Sequence, residues 1–364
     1  MKIKEVLHHL EKKFPLYLQE EFDNCGIQCG DREQEITGVL VCFDPTLEIL
    51  EEAISKKANL VVSHHPVLRN GIKKIMPTDR IGRLLCKAIE NKLLLYAMHT
   101  NIDSAPGGGN DRFAAKLGLS ECSVLSPKES LYRKIVFYAP AEDAWKVKEA
   151  LFSAGCGVLG NYENCSYSVE GHGTFKPIKE AKPYTGEINR IETVEEERVE
   201  IIFPAPVQKR VIEAFYHAHP YEEPAFDILQ LENESRETGL GRIGQLPRPM
   251  EAEEFFRYVK EKMEIETIRY SGDIHRKIAR VAVCGGGGSS LIYHAMRAGA
   301  DAYVTGDIKY HDFYIPDDQM IIADIGHYEG EHYIREIIYN EIKENFINFA
   351  ASLSQVEKLK IHHI

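Results

Sequence analysis

Two adjacent histidines, His64 and His65, end the apolar run VVSHHPVL (61–68), and two His–carboxylate pairs occupy similar places further along the chain. His99 and Asp103 follow LLLYAM, and His327 and Glu331 follow MIIADIG. One histidine at the end of one strand is ordinarily a hydrogen-bonded structural or surface residue. Imidazole or carboxylate at three strand ends at once points instead to a metal centre. Nitrogen and oxygen donors without thiolate suit zinc, manganese, iron or nickel rather than a structural cysteine site.

The spacing says more. Neighbouring side chains on a strand point to opposite faces, and Pro66 keeps His65 extended because the residue before a proline is pushed away from helix. Two diverging imidazoles can each reach a different ion, which favours a dinuclear centre. His327 and Glu331 are four apart and share a face if a helix starts by Tyr328. A carboxylate there has two oxygens and can bridge two ions. Asp103, four residues after His99 in HTNIDSAPGGGND (99–111), has similar reach.

Such residues need a scaffold that aims them at one place. TGVLVCF (37–43), NLVVSHH (59–65) and LLLYAMH (93–99) read as strands separated by the helical patterns TLEILEEAISKK and DRIGRLLCKAIENK. Continuous apolar strands alternating with amphipathic helices mean a mostly parallel sheet covered on both faces. The rhythm returns in ARVAVCG (279–285), DAYVTG (301–306) and MIIADIGH (320–327), followed by a long amphipathic helix. The expected fold is therefore α/β: an N-terminal lobe over 1–125, a C-terminal lobe over 238–364, and between them, over 126–237, a β-α-β-β-α-β segment that reads as an inserted ferredoxin-like (α+β) domain. In open α/β sheets ligands bind at the carboxyl ends of the strands, where all six candidates fall.

The bulk properties narrow the partners. The 364 residues, 44% hydrophobic and 27% charged, describe an ordinary globular chain with room for two or three domains. A net charge of −12 and no dense basic run argue against a nucleic-acid partner. MKIKEVLHHLEKKFPLY reads as an amphipathic helix with Ile3, Val6, Leu7 and Leu10 inward, not as a signal peptide, and no apolar run approaches a membrane span. A cytoplasmic protein is expected. Its eight scattered cysteines form no zinc-finger pair and read as reduced, mostly buried thiols.

Other features carry less. VCGGGGSSL (283–291) could cradle a phosphate at a helix N-terminus, but it lacks the P-loop Lys-Ser/Thr, and a tight turn for close packing is the simpler account. Asp307, Lys309 and His311 follow the strand AYVT and should open toward the same cleft, with Lys309 or His311 available to bind an anion or donate a proton. HPYEEP (219–224) reads as a proline-stabilised turn, and His362 with His363 as a surface tail.

Taken together, SHHP (63–66), HTNIDSAPGGGND (99–111), GLGRIG (239–244), TGDIKYH (305–311), GHYEGE (326–331) and DNCGIQCGD (23–31) resemble the Nif-three-like dinuclear metal-centre proteins, often labelled type 2 GTP cyclohydrolase 1 homologues. The resemblance implies two divalent ions per subunit, zinc first with iron, manganese or nickel as alternatives, held by His64, His65, Asp103, His327 and Glu331. It places His99 beside the ligands rather than among them, and leaves the catalytic residues open among His311, Lys309 and His99. The implied activity is ring-opening hydrolysis of GTP by metal-activated water; the alternatives are a phosphoester hydrolase or a regulatory, metal-handling scaffold without turnover. A trimer-based homohexamer acting on a small molecule, with a nucleotide as the first candidate, is also implied, with a middle domain similar to PII and CutA proteins that carries HPYEEPAFDI (219–228).

Overall fold

The runs GVLVC, LVVS and LLYA become the strands Gly38–Cys42, Leu60–Ser63 and Leu94–Ala97, each buried along its whole length. Burial on both faces leaves no place for polar alternation, and the three pair in parallel, Val39 opposite Leu60 and Leu60 opposite Leu94. Ala350–Leu353 extends this five-stranded sheet in parallel beside Gly38–Cys42, and Gly26–Cys29 closes its other edge antiparallel to Leu94–Ala97. The helices Leu47–Ser55 and Arg80–Glu90 pack on it through Leu50, Ala53, Leu84 and Ala88. Each begins on a side-chain cap: Ile49 N–H donates to the Thr46 hydroxyl and Gly82 N–H to the Asp79 carboxylate. The structure is a computed structural model and describes residues 1–357 and 361. His362 and His363 lie outside the described residues.

A second, six-stranded sheet has a parallel centre, Lys277–Gly287, Ala302–Gly306 and Ile321–Asp324. Gly239–Glu251 and then Ser120–Pro127 join antiparallel on one side, and Arg269–Ser271 on the other. Each sheet thus takes a strand from the stretch of chain that builds the other. Ser120–Pro127 follows the strands of the first sheet yet pairs in the second, and Ala350–Leu353 follows those of the second yet pairs in the first. Residues 1–128 and 236–364 accordingly form one compact unit. The N-terminal helix Ile3–Lys13 buries Ile3, Val6, Leu7 and Leu10, as its spacing predicts.

Residues 129–235 form a unit of their own. Its strands are Tyr132–Pro140, Tyr167–Phe175, Glu192–Pro204 and Phe226–Gln230, and its helices Ala144–Ser153 and Gln208–Ala218. All pairings are antiparallel, with the first and third strands central. Phe137, Leu151, Phe203 and Phe215 fill its core. The HPYEEP turn is held locally: a His219 ring nitrogen lies 2.9 Å from the Tyr138 carbonyl, and the Tyr221 hydroxyl donates to Glu196 at 2.9 Å. Among the described residues no helix is long and apolar enough to cross a membrane.

Candidate metal centre

Every candidate ligand leaves the carboxyl end of a parallel strand. His64 and His65 follow Leu60–Ser63 directly. His99 follows Leu94–Ala97 by two residues and caps the short helix Thr100–Ser104, which contains Asp103. His327 and Glu331 are the first and last residues of a single helical turn after Ile321–Asp324. The helix begins one residue earlier than Tyr328, and its break before Ile334 separates the turn that bears Glu331 from the amphipathic helix Ile334–Asn345.

The five residues come together around one carboxylate. Glu331 Oε2 lies 3.1 Å from His327 Nε2, 3.4 Å from His64 Nε2 and 3.6 Å from His65 Nε2. Asp103 Oδ2 is 4.0 Å from His64 Nε2, and the Nε2 atoms of His65 and His327 are 3.2 Å apart. Two trios of donors result, His64–Asp103–Glu331 and His65–His327–Glu331, with Glu331 common to both. A third, His64–His65–His99, lies against them.

The outward-facing ring nitrogens explain why the inner ones converge. Nδ1 of His64 donates to the Met98 carbonyl at 2.8 Å, that of His65 to Asp44 at 2.8 Å, that of His327 to Asp307 at 2.7 Å and that of His99 to Asp23 at 2.8 Å. An acceptor at Nδ1 places the proton there, so the neutral ring presents a lone pair at Nε2. Lone pairs of His65 and His327 then face each other and a carboxylate. His64 Nε2, Asp103 Oδ1 and Glu331 Oε2 are buried without a hydrogen-bond partner. A buried cluster of acceptors with no donor is stabilised by a cation, and this nitrogen and oxygen set fits a divalent metal.

With no cation bound, protons take its place on the inner nitrogens. Burial alone would lower His327, but Glu331 and Asp307 outweigh it and hold the ring up at about 9. His65 is likewise raised, against burial, by Asp44 and Glu331. Burial would raise Glu331, yet His327, His64 and His65 keep it well below the ordinary carboxylate range. Asp103 is pushed up by burial, with the negative charge of Glu331 adding to it. His99 is lowered, because burial, which favours the neutral ring, prevails over Asp23, which favours the charged one.

The glycine-rich turn serves this carboxylate. Gly286 has φ +62°, and a Cβ there would sit 2.1 Å from Glu331 Oε1; one on Gly285 would sit 2.9 Å from Glu331 Cγ. The backbone can approach Glu331 only without side chains. Asn110 ties the turn to the Asp103 helix, accepting from Gly285 N–H at 3.0 Å and donating to the Asp103 carbonyl at 3.0 Å.

Of the loop after AYVT, it is Asp307 that reaches the cluster, through His327, while Lys309 and His311 are exposed and His311 packs on the Tyr310 ring. Asp44 and Asp23 escaped the sequence reading as site residues. Asp44 stands two residues past the strand Gly38–Cys42, the same strand-end signal that marked the histidines. Asp23 had no such signal, because its partner His99 is 76 residues away.

An α/β scaffold with histidines and carboxylates gathered at its strand ends is of the class that could hold a metal ion there. The sequence profile of Duf34/NIF3 (NGG1p interacting factor 3) matches residues 1–360, and the chain belongs to that family. A Bacillus subtilis relative named GTP cyclohydrolase 1 type 2 homolog is 40% identical over 329 residues, 89% of this chain and 87% of the relative. A Staphylococcus aureus relative of the same name is 35% identical over 361 residues, 98% of each chain. The crystal structure of a Bacillus cereus protein related to NIF3 superposes with a TM-score of 0.82 at 35% identity, covering 100% of this chain and 99% of that one.

Proposed function

We propose that this chain is a dinuclear metal-dependent hydrolase, one ion held by His64, Asp103 and Glu331 and the other by His65, His327 and Glu331. The observation that carries this reading is the nearness of Glu331 Oε2 to two sets of nitrogen and oxygen donors. Two divalent ions, zinc first, with iron, manganese or nickel as alternatives, supply Lewis acidity to a substrate oxygen and acidify water at neutral pH. The chain's own part is to fix the donors: Asp44, Asp307 and the Met98 carbonyl orient three rings, and the glycine turn admits Glu331.

The name borne by the relatives makes GTP the first substrate to try, with opening of the guanine imidazole ring and release of formate. Lys309 and His311, exposed on the loop after Asp307, are the candidates for contact with an anionic substrate or for proton transfer. The assembly proposed with this reading is a trimer-based homohexamer, which sedimentation velocity measures directly.

The test is metal analysis of the purified protein beside turnover of GTP and of simple phosphoesters, repeated on His64→Ala and Glu331→Gln. Two ions per chain, with turnover that both substitutions abolish, is the expected result, and the substrate used then separates cyclohydrolase from phosphoesterase. Two ions with no metal-dependent turnover would move the reading to a metal-handling scaffold. Fewer than two ions after full loading would end the dinuclear reading.

A further inference from the structure

The strand Ala350–Leu353 runs parallel beside Gly38–Cys42, and the chain that leaves it is tied down step by step. Ser354 N–H donates to the Val41 carbonyl at 2.8 Å, and the Ser354 hydroxyl and Gln355 N–H donate to the Glu52 carboxylate at 2.6 and 3.0 Å. Glu357 then arrives at the carboxyl end of Gly38–Cys42. Its Oε1 accepts from two consecutive backbone N–H groups, that of Phe43 at 2.6 Å and that of Asp44 at 2.9 Å, and its Oε2 pairs with Arg335 at 2.5 Å. The Glu357 side chain is 7% exposed. Hydrogen bonds to a charged acceptor are about twice as strong as neutral ones, so this carboxylate holds the backbone firmly.

The backbone it holds meets both adjacent histidines. From the other side His64 N–H donates to the Cys42 carbonyl at 3.2 Å and His65 N–H to that of Phe43 at 3.1 Å. The Phe43 ring stacks on His64 with 5.4 Å between centroids, and Asp44 Oδ1 lies 2.8 Å from His65 Nδ1. Burial does not fix Asp44, whose side chain is 52% exposed. A half-exposed carboxylate directs a ring only if its own backbone is fixed, and the Asp44 N–H goes to Glu357. Arg335, at the other Glu357 oxygen, belongs to the helix that follows Glu331. One carboxylate thus joins the loop that directs His65 to that helix.

Resting on the metal-centre reading above, we propose that Glu357 is a positioning residue of the centre: it fixes the Phe43–Asp44 backbone and, through it, the carboxylate that directs His65 at its ion. The segment after Ala350–Leu353 is then part of what makes the site, although it supplies no donor to it.

Cobalt(II) is the probe, because its visible spectrum reports the donors around it and chelator competition gives the affinity of each ion. Wild-type protein, Glu357→Ala, Asp44→Ala and the double variant are compared. Glu357→Ala is expected to bind one of the two ions about tenfold more weakly, the effect of losing a group that orients a ligand. It should shift the same visible band as Asp44→Ala. Adding Glu357→Ala to Asp44→Ala should change neither affinity nor band further, because the two residues act in series. Glu357→Gln, whose amide oxygen can still accept from both N–H groups, should keep the wild-type band. Wild-type affinity and spectrum in Glu357→Ala, an equal loss with and without Asp44, or weaker binding of both ions alike overturns the inference and leaves the dinuclear reading intact. Wild-type protein that takes up fewer than two ions ends that reading and the inference with it. Glu357→Asp, which keeps the charge beside Arg335 on a side chain one methylene shorter, answers the same question if the alanine variant does not fold.

Discussion

His65 Nε2 and His327 Nε2 face each other at 3.2 Å although 262 residues separate them in the chain. Each ring has its other nitrogen on a carboxylate, Asp44 for one and Asp307 for the other. With both rings neutral the approach is between two acceptors, and Glu331 Oε2 adds a third at 3.1 Å from His327 and 3.6 Å from His65, so a proton or a cation must lie among them. The fold holds these groups together because each sits at the end of a strand buried in one of two sheets, where backbone pairing fixes it.

Glu331 should be the residue on which both ions depend. Glu331→Ala is expected to bind neither ion, whereas His327→Ala, which removes a donor from one trio, is expected to retain one. Atomic emission analysis of metal per chain after loading and desalting distinguishes the two. Equal loss in both variants would contradict the sharing of Glu331.

Proton and metal should compete at His327. Its folded value of about 9 lies above the ordinary 6.5, so in metal-free protein its proton contributes stability that is fully present below pH 6.5 and lost as pH rises through about 9. Metal-free protein should therefore become less stable between those values. Metal loading at pH 8 should release protons and remove that slope. Denaturation midpoints across this range, with chelator and with metal, check the sign.

Gly286→Ala should damage the centre without touching a ligand. The new methyl would meet Glu331 Oε1 at 2.1 Å on a backbone with φ +62°, and a loss of about 1–3 kcal/mol with reduced metal content is expected. Gly287→Ala, whose Cβ would meet nothing closer than 3.7 Å, should be tolerated. Urea midpoints and metal content of the pair measure the contrast.

Asp44→Ala and Asp307→Ala should each weaken metal binding by about 10–100-fold, because the imidazole each orients loses its fixed tautomer and direction. Asp44→Asn keeps an oxygen acceptor and should lose less. Chelator competition gives the affinities.

The parallel strands, their covering helices and the strand-end histidines were legible in the sequence, because apolar runs and a period near 3.6 are local consequences of burial. VVSHH carried its strand, its turn and two donors within a few residues, and His327 with Glu331 followed from helical spacing. Three things were not legible. Gly26–Cys29 and Ala350–Leu353 complete the first sheet and Ser120–Pro127 extends the second through pairing with distant strands, which no local pattern encodes. Asp23 and Asp44 matter through rings they meet only after folding. VCGGGG reads as a tight turn in sequence, and only the packed structure reveals that Glu331 occupies the space its missing side chains leave. The sequence by itself determined which donors exist and on which elements they ride, since those depend on neighbours along the chain. The tertiary structure decided which nitrogen faces inward, which carboxylate lies against three imidazoles and which carboxylates orient the rings, since those depend on contacts between strand ends more than 260 residues apart.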